Sequence, residues 1–259
     1  MAIREGGRSQ RGGAALARLP RMGCAYSEGV AVRNSVNTPL NPSSALQRRF
    51  VSETLQNPHN AALLERLPFL GLPDAWLVAG CLFQTVWNLR SGLAPTAHIK
   101  DYYLFCFDAS DLFEAAEQAV QDRAAALFAD LPITVEAKNQ ARVHLWYERW
   151  FGYPYAPLQS ARNGIERFLV PCTCVGLQPS NAPSIERPTL YAPYGLEELY
   201  AGLLKPNPAC PHLPLFEAKA KSYRERWPWL TIQAAGHVAA GGPFYNDDAA
   251  ISSVFGLKR

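Results

Sequence analysis

The chain lacks any apolar run near the length of a membrane span, and it lacks a strong charge of either sign. Of its 259 residues 48% are hydrophobic and only 18% charged, with a net charge of +3. A spanning helix needs about 20 consecutive apolar residues, so the composition reads as a soluble globular protein with no membrane partner. Non-specific nucleic-acid affinity needs many phosphate contacts on a concentrated basic face, so the charge carries no nucleic-acid signal. Six cysteines occur, at positions 24, 81, 106, 172, 174 and 210, and none form a C-x-x-C pair. The conceivable zinc set is Cys172 and Cys174 with Cys210 and His212; the alternative, free thiols in a reducing, cytoplasmic compartment, needs no second paired cluster. Internal repeats and low-complexity runs are also absent.

The first stretch, MAIREGGRSQRGGAALARLPRMG, is Arg-rich and acid-poor, as transit peptides are, but has no apolar core of a secretory signal. Residues 1–42 are read as a disordered extension or a start upstream of the natural one, and 232–259 as a loosely attached Gly- and Ala-rich tail. Between them, residues 43–231 carry the pattern of one folded domain. Two short helices separated by Asn57 and Pro58 lead into a strand, AWLVAGC, and a helix, LFQTVWNLRSG. KDYYLFCFD is the next strand, DLFEAAEQAVQDRAAALFADL a helix opened by a D-x-x-E signal, and ITVEAKN a third strand. FLVPCTCVGLQ is a fourth strand, and two amphipathic pieces end at Pro206 and Pro228. The alternation predicts an α/β (α+β) fold: a small mixed sheet flanked by helices, with helical N- and C-terminal segments. Trp227 and Trp229 are expected to anchor the last helix.

Chemistry gathers where strands begin and end. Gly80 stands between a strand and a helix, where free N–H groups and the helix dipole make an anion seat; the alternative is a glycine that relieves a tight turn. Asp101 opens the next strand and reaches the same sheet edge, and Glu136 arrives from the third. Two carboxylates near a phosphate seat suit a hard cation held between them, Mg²⁺ or Mn²⁺. Lys100 can neutralise phosphate or simply be a solvated loop charge. In the run from Lys138 to His144, Asn139, Gln140 and Arg142 can read a base or hold phosphates; equally, they can tie the sheet to the C-terminal helices.

The ordered segments VAGCLFQTVWN, IKDYYLFCFD, VEAKNQARVHLWY, PLQSARNGIERF, PCTCVGLQ, YAPYGLEELYAGLLKPNP and RERWPWL resemble the bacterial nucleotidyltransferase-like proteins, an outlying branch of the polymerase-β type superfamily, over about residues 46–231. The resemblance implies a nucleotidyltransferase fold that binds a nucleoside triphosphate (NTP) with Mg²⁺ and passes a nucleoside monophosphate to an acceptor, whether small molecule, protein or RNA. It matches Gly80 with Cys81 to the phosphate cradle. Asp101 matches the first ligand of a D-x-D metal pair, and Glu136 the third carboxylate. The second D-x-D position is Tyr103, whose phenol, with a pKa of about 10, is neutral at pH 7 and a poor Mg²⁺ ligand. Asp108 cannot replace it, being on the opposite strand face and about 23 Å further along. Two readings stay open: an active transferase, and a catalytically impaired relative that keeps the nucleotide pocket to sense or recruit.

Overall fold

In the computed structural model, which describes residues 42–180, 188–210 and 212–233, the folded region begins with two helices, α1 (Pro42–Thr54) and α2 (Pro58–Arg66). All but the last residue of the expected extension, and all but the first two of the expected tail, lie outside the described residues. Asn57 separates the helices as expected: in extended conformation it accepts the His59 N–H, and Pro58 supplies a preset φ at the first turn. Strand β1 (Trp76–Val78) follows, then α3 (Gly80–Arg90), β2 (Asp101–Cys106), α4 (Glu114–Leu127) and β3 (Thr134–Asn139). The chain continues through α5 (Val143–Phe151), α6 (Ala161–Ile165), β4 (Gly176–Gln178), β5 (Thr189–Tyr191), α7 (Glu197–Ala201), β6 (Leu203–Leu204), α8 (Leu213–Arg226) and β7 (Thr231–Ile232).

Five strands form one sheet in the order β3-β2-β1-β4-β5, and β6 pairs with β7 beside it. Only β2 and β3 run parallel within the larger sheet. The two-residue alternation of β2 and β3 separates the faces as the sequence predicts: Tyr102, Leu104, Val135 and Ala137 are buried on one, while Asp101, Tyr103, Glu136 and Lys138 stay half-buried on the other. Beneath the first face, fully buried Asn57 donates to Thr85 Oγ1 at 3.1 Å and to Tyr102 Oη at 3.2 Å. Asn60 donates to the carbonyls of Thr54 and Cys81, each at 3.0 Å. These paired polar groups fix α2, α3 and β2 against one another, since an unpaired amide at such depth costs about 1–3 kcal/mol.

Two expected elements differ. α4 starts at Glu114 because Asp111 accepts the Phe113 N–H as a turn before the helix, not as its cap. Its inner face is mixed: Ala124 is buried and Val120 and Leu127 pack on the core, while Gln121 bonds the Val135 carbonyl and the Ala137 N–H and Glu117 takes the Asn139 N–H, so α4 seals the open edge of β3 with side chains. The fourth strand is confined to Gly176–Gln178, since Pro171 opens a 3-10 turn in which the N–H and hydroxyl of Thr173 both bond the Val170 carbonyl. Cys172 and Cys174 are thus buried free thiols in a turn, and burial pushes the Cys172 thiol up to about 12. Trp227 anchors α8 as expected, fully buried against Trp87 of α3 with its indole N–H on Asn88 Oδ1 at 2.9 Å.

Candidate functional site

β1 and β2 are antiparallel with Val78 opposite Tyr103, so Gly80, two residues beyond Val78, arrives at the end of the sheet where Asp101 begins β2. Asp101 pairs with Thr134 and Tyr103 with Glu136 across the parallel β2–β3 register. Glu136 therefore stands one rung from Asp101 on the same face, about 8 Å between Cα atoms from strand spacing and rise. Tyr103 occupies the rung between Val78 and Glu136. Glu136 is 12% exposed, with Lys138 Nζ 3.7 Å from its carboxylate. Lys100, next to Asp101, is exposed.

The turn into α3 is built on unusual backbone. Ala79, the residue before α3, has φ 52° and ψ −111°, a conformation that L residues avoid at a cost of about 1–3 kcal/mol. It is held there by its N–H on the Val175 carbonyl at 2.9 Å and by its own carbonyl, which accepts from Leu82 and Phe83. The first N–H groups of α3, those of Gly80 and Cys81, have no preceding helical carbonyl to take them. The Cys81 thiol is buried, near the Val78 carbonyl, and burial lifts its pKa above the usual thiol range. A Cβ at Gly80 would lie 3.1 Å from the Gln84 amide nitrogen, so glycine keeps the helix start open.

Sequence reasoning missed the cations that α8 brings here. Lys219 is only 8% exposed, with Nζ 5.4 Å from the centre of the Tyr223 ring, and that ring packs on Phe83 and Trp87 of α3. Arg226 donates to Gln84 Oε1 at 3.1 Å. The available signal was Lys219's place on the apolar stripe formed by Phe216, Ala220 and Tyr223, where a cation is out of pattern. Burial, then the Arg226 charge, push the Lys219 ammonium down to about 7, against the upward pull of Asp101. Between about pH 7 and the ordinary lysine value near 10.4 the unfolded chain holds a proton that the folded one has released, so stability rises with pH across that window. Lys219→Met is expected to flatten this rise and to raise stability at pH 6 by about 1 kcal/mol or more. Urea unfolding at pH 6 and pH 9 checks it; an unchanged pH slope in the variant would refute it.

Beyond Lys138 the Asn-Gln-Ala-Arg run divides. Asn139 is committed to the fold, accepting from Asp108 and Ala141 N–H groups and donating to the Asp108 carbonyl. Arg142 is buried, with Nε on the Leu112 carbonyl and Nη1 on Glu117. Gln140, together with Asn139, lines a cavity of about 330 Å³ beside Phe105, Lys138, Trp146 and Arg167. Among the described residues no three His, Cys, Asp or Glu side chains are grouped as a protein-only metal cage would require. Nor is any helix there long and apolar enough to cross a membrane.

Residues 65–232 match the family model described as Nucleotidyltransferase. A solved structure described as "The NMR structure of the protein reveals a CCA-adding enzyme head domain" is similar, with a TM-score of 0.59 and 25% identity, covering 73% of this chain and 96% of that one. No curated protein matches this chain.

Proposed function

Because the chain belongs to the nucleotidyltransferase family, we propose that it binds an NTP with Mg²⁺ and transfers the nucleoside monophosphate to a hydroxyl acceptor. The observation that carries this reading is the meeting of Gly80 and Asp101 at one sheet end, with Glu136 one rung away on the same face. The N–H groups of Gly80 and Cys81 cradle the terminal phosphates, as a helix start does for anions, and Lys100, Lys219 and Arg226 offset their charge. Asn139 and Arg142 act from behind, holding the end of β3 in place. Asp101 and Glu136 fit Mg²⁺, which takes one or two protein carboxylates and completes its shell with water and substrate phosphates. When bound, the ion would offset phosphate charge and make the acceptor hydroxyl more acidic. In the transfer, the acceptor oxygen bonds to the α-phosphorus, the bond from that phosphorus to the bridging oxygen breaks, pyrophosphate leaves and the hydroxyl proton passes to water. Calorimetric titration of each NTP with and without Mg²⁺, followed by an assay for released pyrophosphate, tests the reading. Absence of Mg²⁺-dependent NTP binding would overturn it.

Tyr103 supports the second reading, nucleotide binding without turnover, because a neutral phenol stands where a two-ion site would want a carboxylate. Tyr103→Asp is expected to raise Mg²⁺-dependent NTP affinity and pyrophosphate release together, by about tenfold or more for a gained oxyanion ligand. Tyr103→Phe should leave both unchanged. A folded Tyr103→Asp protein with no gain in either would assign Tyr103 to packing alone.

A further inference from the structure

The cavity beside Gln140 lies on the Asp101–Glu136 face of the sheet, at the far end from Gly80: Phe105 and Lys138, which line it, pair with each other one rung beyond Tyr103 and Glu136. Its volume, about 330 Å³, sits at the small end of ligand pockets, about 300–1,000 Å³, and suits one ringed small molecule. Its walls are preassembled aromatics. Tyr147 and Tyr155 stack with centroids 4.2 Å apart, Arg167 lies 4.6 Å above Tyr155, and Phe168 packs on Phe105. Tyr147 is pinned by a 2.7 Å hydrogen bond to His212 Nε2. Trp150, also in the lining, is 48% exposed, a large ring left at the rim.

Gln140 is a buried polar group of this wall, which Glu114, Glu117, Lys138, Asn139 and Arg167 also line. It is 4% exposed, and its amide nitrogen donates a long hydrogen bond, 3.5 Å, to the Lys138 carbonyl. Gly164 makes room for it, since a Cβ there would run into the Gln140 carboxamide. A carboxamide presents a donor and an acceptor side by side, the complement of a nucleobase edge, and aromatic walls take the base faces.

Transfer geometry says which substrate belongs here. Attacking and leaving oxygens stand roughly in line across the α-phosphorus. With the terminal phosphates toward Gly80, pyrophosphate departs toward α3, so the attacking hydroxyl comes from the Lys138 side, where the cavity is. We infer that this cavity is the acceptor site and that the acceptor is a nucleoside, its base between the aromatic walls against Gln140 and a ribose hydroxyl directed at Glu136. This rests on the nucleotidyl-transfer reading. The ribose oxygen forms the new bond to the α-phosphorus, pyrophosphate carries off the electron pair of the broken bond, and the hydroxyl proton goes to water on the open Lys138 side.

The test is tryptophan fluorescence of the full chain titrated with adenosine, guanosine, cytidine and uridine, without NTP, alongside calorimetry of Mg²⁺–NTP. Saturable quenching by at least one nucleoside is expected. Trp150→Ala, at an exposed position, and Trp146→Leu should weaken nucleoside binding by at least about tenfold, the scale of a lost base stack, and leave NTP affinity unchanged. No quenching, or quenching indifferent to both variants, would overturn the assignment. So would NTP affinity falling in step, which would give the cavity to the donor's own base. Binding of a short single-stranded RNA but of no free nucleoside would likewise overturn it, in favour of a polymer end. Nucleoside binding without NTP binding would sink the transfer reading while the ring site stood; NTP binding without nucleoside binding would sink the acceptor assignment alone.

Discussion

Asp101→Asn is expected to lower Mg²⁺-dependent NTP affinity by at least about a hundredfold, since changes even to the partners of metal ligands cost about 10–100-fold. The substitution keeps the size and shape of the side chain and leaves the β2 ladder to its backbone, so the melting temperature should hardly move. It removes the negative charge that sits by the start of α3. It also removes the group that raises the Lys219 pKa, so Lys219 should titrate lower still in the variant. Calorimetry with and without Mg²⁺ reads the first effect, and the pH dependence of urea unfolding reads the second. An Asp101→Asn protein that bound NTP with undiminished Mg²⁺ dependence would remove Asp101 from the site.

Trp227→Ala is expected to be the most destabilising single change considered for this protein. Emptying a tryptophan site in a core costs about 3–5 kcal/mol, and this one also orphans Asn88 Oδ1, an acceptor in a fully buried residue, for about 1–3 kcal/mol more. Domains of ordinary stability hold about 5–15 kcal/mol, so about a quarter or more of the total is at stake. For a chain of this length the melting temperature should fall by about 10 °C or more. Trp229 serves as the internal comparison: it is only half-buried, its indole N–H meets the exposed hydroxyl of Ser91, and Arg90 stacks over its ring. Trp229→Ala should cost far less, and equal losses at the two positions would show that α8 is not held chiefly through Trp227.

Local chemistry was legible in the sequence. Asn57 and Pro58 mark a helix start because capping and a preset φ act within a few residues. The faces of β2 and β3 each follow from a period of two, so Asp101 with Tyr103, and Glu136 with Lys138, could be placed on one side of their own strands from KDYYLFCFD and ITVEAKN, while the register that joins the two sets is a product of the fold. What tertiary packing decides was not legible. Lys219 reads as one more surface lysine in LFEAKAKSYRER until α8 is laid on α3. Asp111 looks like a cap, but Leu112 and Phe113 intervene before the first helical turn. Gln121 and Glu117 look like the solvent face of α4, yet they close a strand edge. The cavity, too, draws Phe105, Gln140, Trp150 and Arg167 from four separate segments, and no window along the chain contains it.

Asn88 and Trp227 are 139 positions apart in the sequence, and the proposed phosphate seat straddles that same gap, with its helix start made early and its cations late. During synthesis at about 5–20 residues per second, Gly80 would wait several seconds before Lys219 and Arg226 exist to join it. Closing so long a loop is entropically slow to be repaid. On the proposed reading, a nascent chain can therefore carry a finished Asp101 strand while being unable to neutralise a triphosphate, and nucleotide affinity would arrive abruptly, with the docking of one helix, as a report that the molecule has been completed.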